Sequence, residues 1–229
     1  MKFKPTIAAA ASGKLGGIVF SHNRGGMYTR VLAVPTNPGT PQQEAVRSYM
    51  QQLSNAWNTV LTDEEREDWA TYGQNVSWTD RIGETIKLTG NAMYIRSNLP
   101  RLQAGLARVD AAPVTYNLGD FSPVALAATA GDPATLSLTF DTGDDWVSED
   151  GAALLLRTSR QQAFTVNYFK GPYRYTDKVE GDSGTPPTSP AAITGVWNAA
   201  LGNKVFFAAA VTRADGRLSA PFRGFCFVG

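Results

Sequence analysis

Apolar positions change their rhythm twice along this chain, and the three rhythms predict three kinds of structure. Over residues 1–39 they come as two short runs of β-formers, Gly17-Ile18-Val19-Phe20-Ser21 and Met27 to Val34, separated by His22-Asn23-Arg24-Gly25-Gly26. The separator has the turn chemistry of a hairpin loop, so this segment is expected to form a two-stranded ribbon. A lone ribbon is marginal in water and needs a sheet or a partner to pair with. Pro35-Thr36-Asn37-Pro38-Gly39 then reads as an extended linker that a helix cannot enter.

From residue 40 the apolar spacing becomes three and four. Thr40 can cap, Pro41 suits the first helical position and Gln43 completes a capping-box pattern. Val46, Tyr49, Met50, Leu53, Trp57 and Val60 then form one helical stripe. Thr62-Asp63-Glu64-Glu65 opens a second helix, with acids at the positive end of its dipole. It carries Trp69 and Tyr72 and is expected to stop at Gly73. A third helical stretch, about Asn91 to Asn98, offers Met93, Tyr94 and Ile95, with Pro100 starting a further turn. Trp57, Trp69 and Tyr72 read as a small helical core. A base-stacking platform would need basic neighbours, and those of Trp69 are mostly acidic.

Beyond Pro113 the texture turns to short β-runs cut by Gly, Pro, Asp and Ser. Seven are predicted: Val124–Ala128, Ala134–Phe140, Ala152–Thr158, Phe164–Phe169, Tyr173–Val179, Lys204–Thr212 and Gly224–Val228. In the second, Leu136, Leu138 and Phe140 alternate with Thr135, Ser137 and Thr139, as a half-buried strand requires. The fold class expected is α+β: an N-terminal extended arm with a β-hairpin and linker (1–39), a small helical region (40–111), and a C-terminal antiparallel β-sandwich of the immunoglobulin or fibronectin kind (112–229). The polar loop Gly181–Pro190 is expected to be a mobile or contact loop.

Charge sharpens the first of these parts. Residues 1–43 hold five basic groups (Lys2, Lys4, Lys14, Arg24, Arg30) and no acid. Residues 44–111 hold seven basic and nine acidic groups, and residues 112–229 nine and eleven. A basic arm ahead of a mildly acidic body suits attraction between neighbouring copies. Nucleic acid is not expected as a partner, because five charges supply only a modest non-specific term. The apolar stretch Ile7 to Ala11 is shorter than the roughly 7–15 residues of a secretion signal, and no apolar run reaches the ~18 residues of a membrane span. Synthesis in a cytoplasm, and no membrane association, are therefore expected.

Candidate chemistry is sparse. The single His22 sits in the hairpin loop, a poor place to hold a base rigidly. The single Cys226, in Phe225-Cys226-Phe227-Val228, suits a small buried apolar role. One His and one Cys leave no zinc set of ordinary composition. Ala8 to Leu15 imitates a phosphate loop, but Leu15 stands where the magnesium-holding Ser or Thr belongs. Asp141, Asp144, Asp145, Glu149 and Asp150 crowd one loop without calcium-loop spacing and read as a solvated turn. No catalytic residue, metal or cofactor is expected, and the chain is read as non-enzymatic. Tyr173, Tyr175 and Trp197 form a possible ligand face, although aromatics on strands are more often core or cross-strand pairs.

The run Ser12-Gly13-Lys14-Leu15-Gly16-Gly17-Ile18-Val19-Phe20-Ser21, then Asn23-Arg24-Gly25-Gly26-Met27-Tyr28-Thr29-Arg30, resembles the N-terminal region of a group of tailed-phage and prophage virion proteins. So do the Pro35-to-Thr40 linker, the helix with Arg47, the Leu53-Ser54-x-x-Trp57 and Trp69 pair, and Gly90-Asn91-Ala92-Met93-Tyr94. The likeness covers about residues 12–98. It implies a virion structural protein: a minor capsid, decoration or tail component. Its partners would be copies of itself, as a homo-oligomer, and other virion proteins. Ile18, Phe20, Arg24, Tyr28 and Arg30 are the expected assembly interface. The alternative reading is a binding module whose sandwich recognises a host-surface glycan or protein.

Overall fold

A computed structural model describes residues 12–23, 26–79 and 85–229. The chain divides into two compact units, residues 1–43 and 44–229.

In the first unit, β1 (Gly13–Leu15), β2 (Ile18–Asn23) and β3 (Gly26–Val31) make an antiparallel sheet in the order β1-β2-β3. The β2–β3 pair is the expected ribbon. The strand β1 was not foreseen, because Gly16-Gly17 reads as loose backbone when it is the turn of a second, very short hairpin. Residues 32–40 have no regular structure.

The second unit begins with helices. The first, α1 (Pro41–Thr59), buries only Leu53 and Ala56, so its predicted stripe is used at one end. Val46 and Tyr49 stay half-exposed and Met50 is exposed. The next helix, α2 (Asp63–Asn75), starts with a complete capping box: the Thr62 hydroxyl accepts from the Glu65 N–H, and the Thr62 N–H donates to Glu65 Oε2 at 2.8 Å. Gly73 does not end this helix, which runs to Asn75. It is a point of close approach instead, where a β-carbon would lie 2.5 Å from the Leu88 carbonyl oxygen. A two-strand ribbon, β4 (Trp78–Thr79) with β5 (Thr85–Ile86), leads to α3 (Gly90–Gln103). Pro100 lies inside α3 and does not begin a separate turn.

The helical core is aromatic. Trp69 meets Tyr72 and Tyr94 edge-on, with ring centroids 5.8 and 5.5 Å apart. Each polar tip is satisfied by the irregular segment that follows α3. Trp69 Nε1 donates to the Asp110 carbonyl at 2.7 Å, and Tyr72 OH donates to the Asn117 carbonyl at 2.8 Å. The buried Asn98 amide grips Val109 through both its N–H and its carbonyl. Buried polar groups of this kind fix one chain path, because leaving any of them unpaired costs about 1–3 kcal/mol.

Seven strands follow: β6 (Ala125–Thr129), β7 (Thr135–Thr139), β8 (Ala153–Thr158), β9 (Arg174–Glu180), β10 (Ala191–Thr194), β11 (Lys204–Thr212) and β12 (Phe222–Phe227). They form two antiparallel sheets, β10-β7-β6 and β12-β11-β8-β9. One apolar core lies between them. Leu126, Leu136, Leu138 and Ile193 come from the first sheet; Leu154, Leu156, Val179, Phe207, Ala209, Val211 and Cys226 come from the second. Trp146, in a short 3-10 turn at Asp145–Ser148, closes one end.

One strand expectation fails, and one strand was not foreseen. Phe164–Phe169 is a loop, held by Phe169 stacking on Phe206 at 5.5 Å while Phe164 and Tyr168 stand exposed. Its β-branched and aromatic content reflects that pinning, with no ladder. The strand β10, Ala-Ala-Ile-Thr after Pro190, has little intrinsic strand signal and is made by its pairing with β7. The loop 181–190 is also anchored. Ser183 donates from backbone and side chain to Asp150, and the Ser189 hydroxyl accepts from the Phe140 N–H.

Unlike an edge-packed strand, β8 is buried on both faces. Leu154 and Leu156 enter the inter-sheet core, while Leu155 joins Ala104 and Leu218 beneath the end of α3. Two arginines sew helix to sheet. Arg96 Nη2 donates to the Leu218 and Ser219 carbonyls at 2.8 and 3.1 Å, and Arg101 reaches Thr212 and Arg213. The result is an α+β unit in which α3 covers part of the outer face of the four-stranded sheet.

Candidate functional site

The N-terminal sheet is two-faced, and strand register shows how. Directly opposed residues of antiparallel strands share a face. The pairs Leu15↔Ile18, Ile18↔Val31 and Phe20↔Thr29 therefore put Leu15, Ile18, Phe20 and Val31 together. The pairs Lys14↔Val19, Val19↔Arg30 and Ser21↔Tyr28 put Lys14, Val19, Tyr28 and Arg30 on the other side. One face is thus apolar and the other basic. On the apolar face Leu15 is 74%, Ile18 47% and Val31 79% exposed. On the basic face Val19, between Lys14 and Arg30, is only 9% exposed.

The expected interface residues are accordingly not one patch. Ile18 and Phe20 lie on the apolar face and Tyr28 and Arg30 on the basic one, because the hairpin register sets their parity. Arg24 lies outside the described residues. Leu15 and Val31 complete the apolar face and were not singled out from sequence; counting strand parity from the β2–β3 turn would have found Val31. Among the described residues the outer strands of this sheet, β1 and β3, each pair with β2 alone, which leaves each a sheet edge.

The proposed ligand face also separates. Tyr173 turns its hydroxyl to the Phe169 carbonyl at 3.1 Å and its ring edge to Phe169. Tyr175 is half-buried against the cluster formed by Ala104, Ala153, Leu155 and Leu218. Burial pushes its phenol up to about 12, with nearby Asp177 and Glu180 adding to the shift. Trp197 carries the Arg160 guanidinium 4.6 Å over its ring. Each ring is spent on its own neighbours. A different aromatic group is open to solvent: Phe225 and Phe227 meet edge-on at 5.8 Å, are 51% and 58% exposed, and have Lys204 Nζ near both rings. Their alternation on β12 is visible in sequence, but which face of that strand is covered is not.

The acidic loop is architectural. Asp141 accepts from the Gly143 N–H, Asp144 from Ser122 and Trp146 Nε1, Glu149 from Arg213 and the Ala214 N–H, and Asp150 from Ser183. These bonds tie the turn between β7 and β8 to the loops around it. Among the described residues no group of three or more His, Cys, Asp or Glu is placed to hold a metal ion. His22 sits exposed near the end of β2, opposite Met27. Cys226 is buried, and that burial pushes its thiol up to about 11, so the reactive thiolate is suppressed at neutral pH. No helix among the described residues is long and apolar enough to cross a membrane.

Comparison with protein-family models and with curated proteins finds no match to this sequence.

Proposed function

We propose that this chain is a non-enzymatic structural protein of a phage virion, a minor capsid, decoration or tail component, which assembles through its N-terminal sheet. The observation that carries the reading is the exposed apolar face of Leu15, Ile18 and Val31 on a three-stranded sheet whose outer strands, among the described residues, pair on one side only. A sheet so small gains its stability by burying that face or extending that edge on something else. Copies of this chain are the simplest partner: the opposite face is basic, and residues 44–229 carry more acids than bases. Other virion proteins are the next partners. The protein would be made in the host cytoplasm and come to rest in the particle.

The β-rich part is read as an immunoglobulin- or fibronectin-like sandwich. Its first, second and fifth strands share one sheet, and its third, fourth, sixth and seventh share the other. This differs from the constant-type immunoglobulin arrangement only in the fourth strand, which here pairs with the third.

The test is directional. Ile18→Asp with Val31→Asp, which puts charge on the apolar face, should dissociate assemblies in sedimentation velocity. Tyr28→Ala on the other face should weaken them far less. Equal effects from both faces would sink the face assignment. The exposed Phe225 and Phe227 favour a second reading, a module that stacks on a host-surface glycan or protein. Glycan-array binding abolished by Phe227→Ala would select it.

A further inference from the structure

Between α3 and the outer face of the four-stranded sheet lies a partly open cavity of about 280 Å³. Its origin is legible in the register. The outer face of β11 presents Phe206, then Ala208 and Ala210, so the large side chains stop where the helix approaches. The pairs Ala208↔Arg157 and Ala210↔Leu155 form the floor. Ile95 and Leu99 of α3 make one wall, and Leu218 and Pro221 make the other. Two methyl-sized side chains under a helix leave a space that no described residue of the unit fills.

Arg157 gives that space a polarity. It projects from the middle of the sheet's outer face, and its Nη2 donates to Gln103 Oε1 at a long 3.4 Å. Among the described residues no carboxylate pairs with it. Burial holds its guanidinium below the usual range, with Tyr175 the nearby titratable group. A desolvated cation without a counter-ion is costly, and an anion placed beside it in an otherwise aliphatic pocket recovers that cost. Arg96, also in the lining, has its Nη2 committed to the Leu218 and Ser219 carbonyls and adds positive potential at the same wall.

We propose that this cavity binds a small aliphatic carboxylate, its chain on Leu99, Leu155, Ala208 and Ala210 and its carboxyl group on Arg157. The planar guanidinium matches a carboxylate with two parallel hydrogen bonds. The volume sets the chain length. At the ~30 Å³ that one water-sized group occupies, the space takes roughly nine non-hydrogen atoms, a six- to eight-carbon acid. Occupation would tighten the joint between α3 and the sheet, because the ligand touches both.

The test is calorimetric titration of the intact chain with sodium octanoate, octan-1-ol and octylammonium chloride. Octanoate should bind saturably at one site and raise the melting temperature, and octylammonium should not bind. Affinity should rise roughly fourfold per methylene from butanoate to hexanoate and flatten beyond octanoate. Arg157→Gln should weaken octanoate by about tenfold or more, the effect of losing a charge-assisted pair, while leaving octan-1-ol unchanged. Ala210→Leu, which fills the cavity, should remove binding of both. Equal binding of octanoate and octylammonium by the unaltered chain would overturn the proposal, as would no octanoate heat at millimolar concentration; neither outcome depends on a variant folding.

Discussion

Arg101 Nη1 donates to the Thr212 hydroxyl at 3.1 Å, joining the last turn of α3 to the end of β11 across 111 residues of sequence. The same guanidinium donates to the Arg213 carbonyl at 2.8 Å and, through Nε, to the Ala107 carbonyl at 2.9 Å. Arg101 is only 3% exposed, and of its three acceptors the Arg213 carbonyl also accepts from the Gly216 N–H at 3.1 Å. With Arg96 it fastens α3 to the sheet. Arg101→Met keeps most of the aliphatic volume and strips the donors, taking this partner from the Ala107 carbonyl and the Thr212 hydroxyl. The expected cost is about 2–4 kcal/mol, read as a lower denaturant midpoint. Should helical and β signals still unfold together with the midpoint unmoved, Arg101 does not couple the two parts.

Gly181 tests the packing around Trp146. A β-carbon there would stand 2.0 Å from the Trp146 carbonyl oxygen and 2.7 Å from that of Glu149. Both are backbone atoms that cannot swing aside, so the turn between β7 and β8 would have to move. Gly181→Ala is expected to lose about 3 kcal/mol or more. Gly17→Ala, which meets nothing within 4 Å, is the control and should stay within about 0.5 kcal/mol. Similar melting curves for the two variants would contradict this.

Alkaline pH should expose the buried phenols. Burial pushes Tyr72 and Tyr175 up to about 12 and Tyr94 higher still, above the ordinary value near 10. A raised acid binds its proton more tightly when folded. The associated stability is therefore full below about pH 10 and is lost as pH climbs through 12. Ultraviolet titration should show these three phenols ionising well above pH 10, and only as circular dichroism reports unfolding. A single wave near pH 10 with native dichroism would count against the fold's helical core.

Much of the architecture was legible because local signals and tertiary packing agree. The Thr62 capping box, the alternation of Leu136 and Leu138, and the doubly buried Ala153–Leu156 run each carry their own warrant. The misreadings share a cause: a residue type with two uses. Gly73 looked like a helix stop and is a close approach; Pro100 looked like a break and is tolerated inside α3. Phe164–Phe169 looked like a strand because a loop pinned by an aromatic carries the same residues. The candidate surfaces were legible only in part. Sequence marks Ile18, Phe20, Tyr28 and Arg30 as notable, but strand register alone says which of them face the same way. The cavity is invisible in sequence, since it comes from Ala208 and Ala210 meeting a helix more than a hundred residues away.

The central claim is that residues 1–34 are an assembly element and residues 44–229 a body that stands without them. Sedimentation velocity of the intact chain beside a chain beginning at Pro35, with melting curves of both, addresses it directly. The intact chain should form species larger than a monomer, and the shortened chain should be monomeric with its melting transition in place. An intact chain that stays monomeric at every concentration, or a shortened chain that assembles as well as the intact one, would contradict it.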